Sequence, residues 1–301
     1  MTTKQTKRMK HRFAITAILA SVALILAGCK SGRTSSANAA SAPVEHETSF
    51  STTTVERVAN ADSTILCKFT IDYPTGTDSF SLAVNKFLHD QLVQMYLPGF
   101  DGPDAESRYP LYDGNVNKGE TEVGYYADGT LTYLKQTLKD MQDEDIDWTP
   151  TLEYDLSITK MADTTRYVSY EVKAYVFLGG AHGSSSYRVV HIAKPSGKVI
   201  ELTVDTLQTK ALQPLLRKGV ISYFHEMGER DVDDSNLDEH LLLMGDPIPV
   251  PACAPYLAPD GVHFVYQQYE IACYAVGLVN FTVPYAEIKK YLTPEARQLI
   301  E

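Results

Sequence analysis

Between Thr151 and Leu202 the chain runs through three stretches of alternating polar and apolar residues, "TLEYDLSITKMA", "YVSYEVKAYVF" and "SYRVVHIAKPSGKVIEL". Strict alternation gives a strand one inward and one outward face. The breaks between them, "ADTT", the glycine-rich "LGGAHG" and the Pro195–Gly197 turn, are turn chemistry rather than helix. A parallel neighbour needs a crossover of about a dozen residues or more, so strands this closely spaced form an antiparallel meander.

The flanks supply the helices. "STILCKFTIDYP" alternates and stops at Pro74, which makes it a first strand, with Cys67 on its apolar face beside Ile65, Phe69 and Ile71. Phe80, Val84, Phe87, Leu88, Leu92 and Met95 follow at helical spacing. Leu131, Leu134, Leu138 and Met141 repeat the pattern from Gly129 to Glu144, and both helices are expected to cover one face of a sheet. Leu207–Gly228 reads as a helix interrupted near Pro214, and Val262–Leu292 as two final strands and a short helix, its tyrosine-rich strand ending at Gly277. The predicted class is α+β: antiparallel sheets with helices packed to one face, in two small subdomains at 61–150 and 151–301.

The N-terminus says where such a body works. Lys4, Lys7, Arg8, Lys10 and Arg12 precede the apolar run "FAITAILASVALILAG", which is shorter than the roughly 20 residues of a comfortable membrane span. A basic head, a short apolar core and small residues make a signal peptide over 1–28. "LAGC", Leu26 to Cys29, resembles the bacterial lipobox, which implies that Cys29 is lipidated and becomes the first residue of the mature chain. Residues 29–60 are rich in Ser, Thr and Ala and are expected to be a flexible tether reaching on the order of 30 Å from the membrane. Lys30 and neutral residues follow the cysteine, which by resemblance to other lipoproteins favours the periplasmic face of the outer membrane.

Loss of 1–28 removes five basic residues and no acidic ones, taking the net charge from −11 to −16. Nucleic acid is a poor partner for that balance and a basic protein a better one. Cys67, Cys253 and Cys273 remain; if one disulfide forms, Cys253 with Cys273 is the expected pair. No cofactor motif, zinc spacing or redox CxxC is present.

The stretch from Glu153 to Leu202, with its "GGAHG" at Gly179–Gly183, and "LAPDGVHFVYQQYEIACYAVGLVNFTVPYAEIKKYL" together resemble the C-terminal domain of unknown function of RsiV-like extracytoplasmic proteins. "STILCKFTIDYPTGTDSFSLAVNKFLHDQL" resembles the companion domain found ahead of it, also present in the peptidoglycan deacetylase PdaC. The resemblance implies an α+β ectodomain, and in RsiV itself the binding of lysozyme. Only a dozen residues precede the apolar segment here and a lipobox ends it, so anti-sigma activity is not carried over. PdaC's catalytic metal motifs are absent from this sequence, so deacetylation is not carried over either.

The loop "FLGGAHGSSSYR" admits three readings. As an active site, Gly179 and Gly180 would offer backbone N–H groups, His182 a base, and Ser184, Ser185 or Ser186 a nucleophile. No GxSxG elbow supports that. As a binding loop, Gly179 and Gly180 allow close approach, and His182 and Tyr187 supply contacts. As a plain turn, the glycines serve the hairpin alone, and this is the leading reading.

Other clusters are weaker. "HEMGE" at His225–Glu229 lacks the second histidine of a zinc helix. "DVDDSNLDEHLL" at Asp231–Leu242 has Asn236 and Leu242 where a calcium loop wants glycine and glutamate. "DMQDEDIDW" sets five carboxylates beside Trp148, the only tryptophan, as a surface for a cationic protein. Tyr266, Tyr269 and Tyr274 suit either plain strand alternation or a sugar-binding face. The expected function is therefore a non-enzymatic, lipid-anchored envelope module binding a lysozyme-like protein or peptidoglycan. The alternative is a hydrolase of envelope glycan or peptide.

Overall fold

A computed structural model of the chain describes residues 50–61, 63–101, 108–143 and 150–301. Cys29, the signal peptide, most of the tether, Trp148 and the carboxylates at 144, 145 and 147 lie outside the described residues.

Six strands form one sheet in chain order: β1 (Thr52–Val58), β2 (Ile65–Pro74), β3 (Leu152–Asp163), β4 (Tyr167–Phe177), β5 (Ser184–Ala193) and β6 (Lys198–Ile200). All neighbours are antiparallel except β2 and β3, which run parallel with Ile65 opposite Leu152 and Ile71 opposite Ile158. The crossover this demands contains α1 (Ser79–Gln94) and α2 (Gly119–Asp143). The meander is thus β3–β6, and β1 begins within the segment expected to be tether.

Local chemistry explains these elements. On β2, Ile65, Cys67, Phe69, Ile71 and Tyr73 all face the core. Asp78 caps α1 by accepting from the N–H groups of Phe80 (3.0 Å) and Ser81 (3.1 Å), which satisfies two otherwise orphaned donors. The second helix starts ten residues ahead of its expected start, because Val123, Tyr126, Ala127 and Thr130 already form its buried face. Gly129 hid that continuity; a Cβ there would lie 2.1 Å from the Tyr96 hydroxyl, so close helix packing requires the glycine.

The C-terminal third holds α3 (Thr209–Glu226), β7 (Tyr256–Ala258), β8 (Gly261–Val265), β9 (Asn280–Pro284), α4 (Tyr285–Ile288) and α5 (Pro294–Ile300). The last β-strands form a separate antiparallel sheet, β7-β8-β9. Pro214 sits inside α3 without ending it.

Two large hydrophobic cores and a small cluster of Val189, Tyr256 and Val265 result among the described residues. The first joins β2, β3 and β4 to α1 and α2 through Phe69, Leu88, Leu134, Tyr154 and Tyr170. The second runs from Ile200 to Leu299 around Leu216, Phe224, Phe264 and Phe281. Each fully buried side chain of this size contributes about 1.5–3 kcal/mol. The cores divide near β6 rather than at residue 150, because β3–β5 pair onto β2 and extend its sheet. Alternation identified those strands but carried no information about their partner.

One buried histidine ties the sheet to the C-terminal third. The Leu257 N–H donates to His191 Nε2 (2.8 Å), so Nδ1 carries the proton and donates to Ser169 Oγ (2.7 Å). The ring is 1% exposed, and burial pushes its pKa down to about 4.

Candidate functional site: an exposed aromatic platform

The loop from Leu178 to Gly183 joins β4 to β5, and its glycines do different things. Gly179 adopts φ +76°, a left-handed conformation that favours glycine, and a Cβ there would stand 3.0 Å from Pro150 Cβ. Gly183 lies against Tyr175, whose ring would be 2.4 Å from an added Cβ. Gly180 faces open space.

His182 is exposed, and its ring stacks on Tyr274 with centroids 3.7 Å apart and planes 20° from parallel. Its Nδ1 lies 3.0 Å from the Gly183 carbonyl and its Nε2 3.1 Å from the Tyr269 hydroxyl. A carbonyl only accepts, so Nδ1 donates there and Nε2 accepts from Tyr269 in the neutral tautomer. Tyr269 and Tyr274 are 5.8 Å apart, so three rings from two distant segments form one surface patch. Tyr269 is 43% exposed and holds φ +66°, a conformation that costs a non-glycine residue about 1–3 kcal/mol.

Side chains replace a strand in holding this patch. The Tyr187 N–H donates to Gln267 Oε1 (2.9 Å), Gln267 Nε2 donates to the Tyr187 carbonyl (2.8 Å), and the Ser185 N–H donates to Gln268 Oε1 (3.0 Å). Two glutamines therefore occupy the open edge of β5 as a neighbouring backbone would. Behind them the Glu270 carboxylate accepts from the N–H groups of Ala252 (2.6 Å) and Gln267 (2.7 Å). Burial raises its pKa, and those two bonds work the other way.

The residues named from sequence separate accordingly. His182 and Gly180 belong to the open surface, while Gly179 belongs to the turn. Tyr187 points elsewhere: its hydroxyl meets that of Tyr256 (3.5 Å) and Lys173 Nζ lies 5.6 Å over its ring. Burial, then Tyr256, pushes its pKa well above the ordinary phenol range. Trp148 lies outside the described residues. Of the three tyrosines with two readings, Tyr266 is fully buried and donates to the Pro249 carbonyl (2.8 Å), whereas Tyr269 and Tyr274 are the platform. The expected tyrosine-rich strand is instead a loop from 266 to 279, bent by the Glu270–Gln267 turn and containing a short 3-10 helix at Tyr274–Val276.

Other chemistry read from the sequence resolves differently. His225 Nε2 donates to the Val232 carbonyl (2.7 Å) and serves the end of α3. In the acidic loop, Asp234 and Asp238 accept from Arg217 (2.5 and 2.7 Å), so an internal guanidinium fills the place of a cation. Among the described residues no group of three or more His, Cys, Asp or Glu side chains is placed to hold a metal. Cys253 and Cys273 are free thiols, which corrects the expected pairing: Cys273 is exposed and Cys253 half-buried beside Arg188 and Glu270. No helix among the described residues is long and apolar enough to cross a membrane.

Residues 212–286 match a family model described as "Protein of unknown function (DUF3298)". No curated protein matches the chain. Among solved structures, a DUF3298 family member from Bacteroides fragilis is similar with a TM-score of 0.59 at 19% identity, covering 81% of this chain and 93% of that one. A DUF3298 family protein from Pseudomonas aeruginosa is similar with a TM-score of 0.51 at 14% identity, covering 81% and 94%. At these identities the likeness is one of fold. The matched segment includes Tyr269 and Tyr274 but begins beyond His182.

Proposed function

We propose that this protein is a lipid-anchored module of the bacterial envelope that binds cell-wall glycan on the His182–Tyr274–Tyr269 platform. The observation that carries this reading is the stacked set of three rings, His182 and Tyr269 exposed and Tyr274 half-buried, each with a polar tip, pinned by side-chain bonds to the edge of β5. A pyranose presents a flat C–H face to an aromatic ring and hydroxyls to its rim. The Tyr269 and Tyr274 hydroxyls and the neighbouring serines suit that rim. An open platform also suits a polymer strand, since enclosed small ligands favour concave pockets. The resemblance of Leu26–Cys29 to a lipobox supports an anchored location in the envelope, where such a strand would be available.

A hydrolase reading draws less support. Glycoside hydrolysis asks for two carboxyl groups across the scissile bond. His182 instead has both nitrogens engaged by a carbonyl and a phenol, and its stacking partner is a tyrosine.

Cosedimentation of the full chain with purified peptidoglycan tests the proposal, with hen lysozyme immobilised in a parallel arm. The expected result is retention on glycan that drops at least about fivefold in Tyr274→Ala and His182→Ala. Equal retention of wild type and both variants, or capture by lysozyme alone, refutes it.

A further inference from the structure

A second candidate site lies between α3, α4 and α5. An open cleft of about 890 Å³ is walled by Pro214 and Leu215 of α3, Ala286 of α4 and Tyr291. The Tyr291 hydroxyl donates to the Ala211 carbonyl (3.2 Å), one turn ahead of Pro214, and fixes that wall.

The charges around the cleft do not cancel. Glu287 pairs with Lys218 (3.6 Å) and Glu301 with Lys289 (3.2 Å), which uses both side-chain carboxylates of the lining. Lys290 and Arg297 are left without a carboxylate partner among the described residues. Lys290 Nζ rests 4.8 Å over the Tyr291 ring. Arg297 makes one long bond, from Nη2 to the Leu292 carbonyl (3.4 Å), and its Nε is buried with no acceptor. An incompletely bonded guanidinium costs free energy, and an oxyanion is the partner that fits its planar fork. Two unneutralised cations at one cleft are also against the trend of a chain whose net charge is −11.

We infer that this cleft binds an organic oxyanion, its carboxylate or phosphate held by Arg297 and Lys290 and its short apolar body lying on Pro214, Leu215 and Tyr291. It is separate from the aromatic platform in residues and in ligand chemistry. Titration of the full chain with hexanoate and with hexyl phosphate, followed by amide NMR shifts at 286–301, tests it, with hexylamine as the charge-reversed control. The expected result is saturable binding of at least one anion, weakened at least about fivefold by Arg297→Gln and by Lys290→Gln, and by a rise from about 50 to about 500 mM salt. Which anion binds tighter identifies the head group. Should Arg297→Gln fail to fold, Lys290→Gln decides alone, because that side chain is exposed. Absence of saturable shifts with both anions, equal binding of hexylamine, or indifference to Lys290→Gln overturns the inference. His182→Ala leaves this titration unchanged, so its outcome is independent of the glycan test.

Discussion

The β5 hairpin meets the C-terminal third at two histidines, and they are built in opposite ways. His191 is buried, donates to Ser169 and accepts from Leu257, so each nitrogen closes a bond that would otherwise leave a buried group orphaned. His182 is exposed, stacked on one face by Tyr274 and bonded at its edge to Tyr269. The first arrangement stabilises because its alternatives are dry and unsatisfied. The second adds little to stability because water satisfies the same groups, and its rings remain available to a ligand. One residue type, inside a strand paired on both sides at His191 and in the loop ahead of that strand at His182, serves the fold or the surface according to burial.

The contrast breaks most sharply at His191. Replacement by alanine removes a packed ring and strands the Leu257 N–H, and is expected to cost about 3 kcal/mol, read as a fall in the urea midpoint with an unchanged slope. A midpoint equal to wild type removes His191 from its structural role.

Acid gives the next largest effect. His191 has a folded pKa of about 4 against 6.5 for the free side chain, so between those values the unfolded chain binds the extra proton. Its contribution is complete above about pH 6.5 and is lost as pH falls towards 4, on the order of 3 kcal/mol in total. Urea midpoints across that range should fall less steeply in His191→Gln than in wild type. Parallel profiles would show that other groups carry the acid response.

Smaller effects sharpen the other side. Gly183→Ala drives a Cβ into the Tyr175 ring and is expected to cost about 1–2 kcal/mol while shifting His182 off Tyr274, seen as altered ring shifts of Tyr274 by NMR. Gln267→Ala loses two bonds to the Tyr187 backbone and is expected to cost about 1 kcal/mol, with faster hydrogen exchange at Tyr187.

How much of this was legible in the sequence follows from the kind of interaction involved. The meander and the core faces of β2 and α1 were readable because period and burial coincide in Ile65, Cys67, Phe69 and in Phe80, Val84, Phe87. The parallel β2–β3 pairing was not, because register across a crossover of nearly eighty residues leaves no local mark. The start of α2 is masked by Gly124 and Gly129; Gly129 answers to the neighbouring Tyr96 rather than to a turn, whereas Gly124 faces open space. The flanking glycines make His182 conspicuous in the sequence, but its partners lie 87 positions away and more, beyond any local signal. Tyr266, Tyr269 and Tyr274 looked alike in sequence; a left-handed φ at Tyr269 and the Glu270-capped turn send the first inward and the others outward.

The division of labour between the two histidines is tested most directly by measuring, on one preparation of Tyr274→Ala, both the affinity for a soluble peptidoglycan glycan fragment by calorimetry and the urea midpoint. Affinity is expected to be at least about tenfold weaker, equivalent to about 1.4 kcal/mol, with the midpoint within about 0.5 kcal/mol of wild type. Unchanged affinity, or a loss of affinity matched by a comparable loss of stability, would contradict it.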